Sequence, residues 1–324
     1  MLLWLATPVM AWTDAGHKIV ASIAFRRLSP EQQRKLSALL ENHPRFEQDF
    51  AGKIPADVPV EEIPEWRLQQ AAIWPDIARG FNEEDKALFH RGPWHYINHP
   101  LFLTEDDQQA MEANPRFLLK TEVPTEDAAR RDMNVLQAIA WARSQLADTS
   151  VPESERAVLL CWLCHLVGDL HQPIHSTACF SRRLFPDGDK GGSLILTRER
   201  NNLHAVWDGF PGSQLNLREA RKEALTLTAN PELEPLGIAA AKELDQTVWF
   251  EESRKLTVSV VYTAEVLTPL RGLETERKVG ETAESQPLPK LSLSEDYLQT
   301  GGAVAKRRLV EAGYRLGAVL AEIP

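Results

Sequence analysis

With 324 residues, 43% hydrophobic and 25% charged, the chain has the make-up of a globular protein able to bury a substantial core, read here as one domain. Its 36 basic and 46 acidic residues leave a net charge of −10, which argues against a broad basic face gripping duplex nucleic acid, and it contains no apolar run of a length that suggests a transmembrane segment. Three cysteines, Cys161, Cys164 and Cys179, cannot all pair with one another and define no disulfide framework; Cys161 and Cys164 lie in an apolar run and read as buried thiols.

The first eleven residues are apolar and place Val9 and Ala11 at the −3 and −1 positions of a signal-peptidase site. They read as the remnant of an export signal, which would leave 12–324 as a single mature domain of a secreted or periplasmic protein, or else as a first buried segment. Helical periodicity dominates from there on. Residues 16–28 predict a first helix, and Ser29-Pro30-Glu31-Gln32 supplies the N-cap, N1 proline and acidic first turn of a second. Residues 43–64, rich in proline and acids, read mostly as loop; helix resumes between Glu65 and Arg79, and Thr125-Glu126-Asp127 opens a long one running to about Leu146. Pro152-Glu153 starts the helix that ends at the central histidines. Residues 181–192, with Pro186, Asp187-Gly188 and Gly191-Gly192, read as loop, and 193–197 as one strand of a small hairpin. Residues 238–267 and 293–323 predict two long closing helices, with 272–289 as a mobile linker between them. The sum is an all-α helical bundle with long functional loops.

The densest chemistry is the run from His165 to His175. On a helix, His165 and Asp169 fall on one face a turn apart, so an imidazole and a carboxylate can grip one ion. Pro173 then ends the helix and lets His175 turn toward a second ion. His204 and Asp208 repeat the same spacing. His17, Asp76 and His95, each with a tryptophan nearby, are further ligand candidates. Nitrogen and oxygen ligands without organised cysteines suit zinc, with manganese or iron as alternatives.

In the order and spacing of these residues from Trp12 to Asp208, above all Asn202-Leu203-His204 with Trp207-Asp208, the chain resembles the single-strand-specific zinc nucleases of the S1/P1 type, which share a superfamily with zinc-dependent phospholipase C. The resemblance implies a helical fold of that kind and a trinuclear site holding three Zn2+. Trp12, as a mature N-terminus, would give its α-amine and carbonyl to one zinc together with His17. Asp76, His95, His165 and Asp169 would hold a second, with Asp169 bridging the two, and His175, His204 and Asp208 a third. An α-amine has a pKa of roughly 7.7–8 and yields its proton to a metal far more readily than a lysine.

By the same resemblance, Arg79 stabilises charge on the phosphate, Tyr96 stacks near the base, Asn98 lies near the attacking water and Ser193 near the base. The family often has Asp where Asn98 stands, and Asn where Ser193 stands. His43, His90, His99 and His171 read as structural. The implied activity is endonucleolytic hydrolysis of single-stranded DNA and RNA, with 3′-nucleotidase activity alongside and no stable protein partner. The alternatives are a phospholipase C, whose last ligand would be Glu rather than Asp208, and a non-catalytic zinc-binding helical protein.

Overall fold

The computed structural model describes residues 12–278 and 280–324; the segment read as an export remnant lies outside them. The described chain is all-α apart from one pair of short strands. In chain order it runs α1 (Asp14–Arg27), α2 (Pro30–Leu40), the single turn α3 (Phe46–Asp49), α4 (Ile63–Ala78), α5 (Glu83–Phe89), β1 (His99–Phe102), α6 (Glu105–Met111) and the single turn α7 (Asp127–Arg130). There follow α8 (Val135–Ala147), α9 (Glu153–His171), β2 (Thr177–Phe180), α10 (Leu203–Asp208), α11 (Leu217–Thr228), α12 (Glu234–Ala240), α13 (Gln246–Leu256), α14 (Ala264–Glu276) and α15 (Glu295–Ala321).

Local chemistry sets the helix starts. Ser29 accepts the Gln32 N–H while the Gln32 side chain accepts the Ser29 N–H, with Pro30 at the first helical position of α2. Three expectations are corrected by the same kind of signal. The long helix from 125 divides into α7 and α8 because Asn134 takes an extended backbone and caps α8, accepting the Leu136 and Gln137 N–H groups. The closing helix from 238 divides because Asp245 caps α13, and the β-branched run 257–261 winds as a π-helical segment before α14. Residues 272–276 complete α14, and the supposed linker is anchored at two points, with Ala283 and Leu288 buried and the Ala283 N–H bonded to the Leu184 carbonyl, while 284–287 are exposed.

The hairpin expected at 193–197 is also corrected. Thr197 makes only one isolated bridge to Leu291, whereas the sheet is β1 beside β2, parallel and in register from His99–Thr177 to Phe102–Phe180. Residues 188 and 190–192 all have positive φ, so the chain turns back on itself instead of extending into a strand.

The core has two parts. The larger joins α1, α4, α8, α9 and α15 around Trp74, Trp162 and Trp249; the smaller surrounds Trp207, Tyr262 and Tyr297 beside β2 and α10. α9 runs through the larger part, buried at every residue from Leu160 to His171, and its exit at Pro173 delivers the chain to the smaller one. The functional residues gather where the two parts meet. No described helix is long and apolar enough to cross a membrane.

Candidate metal centre

α9 presents His165 and Asp169 on one face, with Nε2 of the first 3.2 Å from Oδ2 of the second. Gly168 makes room beside them: a Cβ there would lie 2.8 Å from Nδ1 of His17, so only glycine lets α1 come so close. His17 stacks on His165 with ring centroids 4.0 Å apart and puts Nε2 3.5 Å from Oδ1 of Asp169. His95 ends a short 3-10 turn (Gly92–His95), with Nδ1 3.0 Å from Asp169 and 2.9 Å from Nε2 of His165. Asp76, in the last turn of α4, lies 3.7 Å from His165 and forms an ion pair with Arg79 at 2.8 Å. His175, on the turn Pro173–Ser176, faces His204 and Asp208 of α10.

These residues form three groups, His17–His165–Asp169, Asp76–His95–His165 and His175–His204–Asp208, in each of which the candidate ligand atoms lie within 4.8 Å of one another. His165 takes part in two groups, whereas the sequence assigned it to one.

Main-chain carbonyls fix the tautomers. The Nδ1–H of His165 donates to the Ala72 carbonyl at 2.7 Å, that of His175 to the His95 carbonyl at 2.8 Å, and that of His204 to the Gly191 carbonyl at 2.6 Å. In the neutral rings each Nε2 is then an acceptor. Nε2 of His175 and Nε2 of His204 nevertheless face each other at 3.3 Å, with Oδ2 of Asp208 another 3.3 Å from His204. A divalent cation can take all three atoms as ligands at once.

The same holds for the first two groups. Both nitrogens of His17, Nε2 of His95 and Oδ1 of Asp169 are buried without a hydrogen-bond partner. Burial holds His17 and His95 well below the usual histidine range, hence neutral and able to ligate. Burial also raises Asp169 to about 6 against the pull of His165, and lifts Asp208 against the Gln172 hydrogen bond. Buried carboxylates disfavour ionisation unless positive charge compensates them. The donor set thus fits divalent metal, and nitrogen with oxygen donors suits zinc, manganese or iron.

The other sequence candidates are placed as follows. Trp12 is buried beside Gly16, and the Thr13 N–H reaches the Asp208 carbonyl at 3.4 Å, tying the start of α1 to α10. Arg79 is mostly buried, and its charge bears on His17, His95, Tyr96, Asp169 and Asp208 together. Tyr96 is half-buried, Asn98 is exposed before β1, and Ser193 is half-buried with its N–H on the Lys190 carbonyl. His171 lies outside the three groups: its Nδ1–H donates to Val167, and its Nε2 accepts from Arg315. His43 packs against Phe50 and Trp74, and His99 accepts from Arg254. All three cysteines are buried and free.

Sequence reasoning missed the supports. Gln172 is fully buried, donates to Oδ1 of Asp208 at 2.8 Å and caps the turn bearing His175 by accepting the Ile174 N–H. The carbonyls of Ala72, His95 and Gly191 orient three histidines, and a backbone acceptor leaves no mark on residue identity. Gly191 and Gly192 do leave one: their φ values of 57° and 81° shape the turn that delivers the Gly191 carbonyl to His204.

The family described as S1/P1 Nuclease matches residues 12–324. Endonuclease 2 of Arabidopsis thaliana is 23% identical over 331 residues, covering 99% of this chain and 93% of that protein; Endonuclease 1 of the same plant is 23% identical and covered to 89%. Nuclease P1 of Penicillium citrinum is 24% identical over 225 residues, 68% of this chain and 67% of that protein. With the whole described length matched, the chain belongs to the S1/P1 nuclease family and is a nuclease, a hydrolase of phosphoric ester bonds.

Proposed function

We propose that the protein is a zinc-dependent endonuclease of single-stranded DNA and RNA, with 3′-nucleotidase activity, built on a centre for three Zn2+. The observation that supports the metal count is the third cluster, His175, His204 and Asp208, whose candidate ligand atoms lie within 4.8 Å of one another, beside the two clusters that share His165. His17 with Asp169 would hold one ion, Asp76, His95, His165 and Asp169 the second, and His175, His204 and Asp208 the third. Trp12 would complete the first set through a free α-amine and carbonyl once residues 1–11 are removed on export, leaving 12–324 as one catalytic domain.

Bound zinc supplies Lewis acidity toward phosphate oxygens and lowers the pKa of water toward about 7. The chain's own residues do the rest. The guanidinium of Arg79, held at 2.8 Å by Asp76, is placed to take a share of the phosphate charge. The half-buried ring of Tyr96 offers a face to the base and Ser193 a hydroxyl, both tolerant of base identity. Asn98, as an amide, can orient water but cannot take its proton; Asp169 orients His17, His95 and His165 together through its two oxygens.

Protein that starts at Trp12 and is loaded with zinc is expected to cleave a single-stranded oligonucleotide and to stop on chelation. Intact oligonucleotide with hydrolysis of phosphatidylcholine would overturn the nuclease reading in favour of a phospholipase C. Amino-terminal sequencing of exported protein is expected to begin at Trp12; a native chain that keeps residue 1 would remove the amine ligand.

A further inference from the structure

A second concave feature lies on the far side of Trp162 from the ligands. A groove of about 420 Å³ opens between α5, α7, α8 and the first half of α9, walled by Arg91 and Arg131, by Trp94 and Trp141, and by the exposed Leu88. Trp162 is the partition: its ring lies 5.0 Å from that of Trp94 in the groove wall and 5.2 Å from that of His95 in the metal centre.

Three arginines, Arg91, Arg130 and Arg131, line this groove with two acids, Asp127 and Glu155, in a chain that is acidic as a whole. Arg130 is fully engaged, stacked 4.1 Å over Trp141 and bonded to Asp127 and to the carbonyls of Pro124 and Thr125. Arg91 reaches only the carbonyls of Ala87, Leu88 and His90, and Arg131 is exposed; among the described residues neither has a carboxylate partner. Arg91 and Arg131 line the same groove, where an anion would meet both guanidinium groups. His90, whose ring is 6.4 Å from that of His95, is close enough to feel both Arg79 of the metal centre and Arg91 of the groove; with burial they lower its pKa and keep it neutral. Cationic side chains interleaved with aromatic faces are how proteins hold unpaired strands without reading sequence.

We propose that this groove is a second nucleotide subsite for the single strand engaged at the metal centre, with Arg91 and Arg131 taking a backbone phosphate and the Trp141–Arg130 stack taking an unpaired base. The proposal rests on the nuclease reading above for the identity of the strand. It makes the enzyme prefer substrates long enough to span both sites.

The test compares wild type, Arg131→Glu and Trp141→Ala on a dinucleotide and on a single strand of about a dozen nucleotides, long enough for a typical single-strand site. The same labelled strand is titrated by fluorescence anisotropy into chelated protein. Each substitution is expected to raise KM for the longer strand about 10-fold, with kcat and both dinucleotide constants unchanged. Arg131→Glu should also lower the salt slope of binding by about 1, as loss of one phosphate contact requires. Should Trp141→Ala lose folding, Arg131→Glu carries the test alone, since the Arg131 side chain makes no hydrogen bond or ion pair among the described residues. Longer-strand cleavage and binding unaffected by Arg131→Glu, or strand binding displaced by an acidic peptide but not by a second oligonucleotide, would overturn the subsite. If no variant cleaves either substrate while binding still depends on Arg131, the nuclease reading fails and the subsite stands.

Discussion

Two buried polar clusters sit on opposite sides of the last turns of α9, and they are built on opposite principles. On one side, Arg308 and Arg315 of α15, both buried, close on Glu252, Glu311, Ser253 and the His171 ring and carbonyl, so that cations meet anions and donors meet acceptors. On the other, five histidines and three aspartates face one another with Arg79 as the cation among them, and several of their ring nitrogens and carboxylate oxygens find no donor. The first cluster is complete within the protein. The second becomes complete only with metal. The first holds one histidine and the second five, yet it is satisfaction that distinguishes a structural network from a functional site.

The sharpest way to break this contrast is at Asp169. Asp169→Asn removes the charge shared by His17, His95 and His165, and metal analysis with single-strand cleavage should show loss of zinc and of activity beyond the about 10- to 100-fold typical of an outer support. On the other side, Arg308→Met leaves Glu311 without its buried partner and Glu252 with Arg315 alone. It should lower stability by about 3–5 kcal/mol in urea unfolding, while the folded fraction keeps its zinc. If Arg308→Met lost zinc without losing stability, the two clusters would not be separate devices.

A smaller effect tests the join between them. Gln172→Leu removes the amide that holds Oδ1 of Asp208, and it should weaken the third ion by about 10- to 100-fold in a chelator competition while two ions stay bound. The smallest effect is one of pH. Burial would raise Glu252, but Arg315 and Arg308 overcome it and hold the carboxyl at about 2, below its ordinary 4.5. A depressed carboxyl contributes stability that is present above the ordinary value and lost as pH falls toward the folded one. In chelated protein, the margin of wild type over Glu252→Gln should therefore be constant above about pH 5 and shrink between about pH 4.5 and 2; a margin that grows on acidification would contradict the ion pairing.

How much of this was legible in the sequence follows from what each contact leaves in it. A ligand must be a particular side chain, so His165, Asp169, His204 and Asp208 stand out by spacing, and the helix through the first pair is closed by Pro173. The amphipathic α15 is legible by periodicity, and α9, buried all round, by its start at Pro152-Glu153 and its stop at Pro173. The breaks at Asn134 and Asp245 were not, because a polar residue inside an apolar pattern can be an exposed face or a cap, and only tertiary packing decides. The parallel pairing of β1 with β2 joins segments far apart in sequence, where turn chemistry gives no register. The groove beside Trp162 was invisible for a related reason: Arg91, Arg131 and Trp141 come together only when α8 packs on α9.

The central claim is that three sets of mutually facing acceptors await three cations. Zinc content of protein beginning at Trp12, measured by atomic emission after exhaustive dialysis, tests it most directly. The account predicts three zinc ions per chain, falling to two in His204→Ala; a wild-type chain that binds no more than one would contradict it.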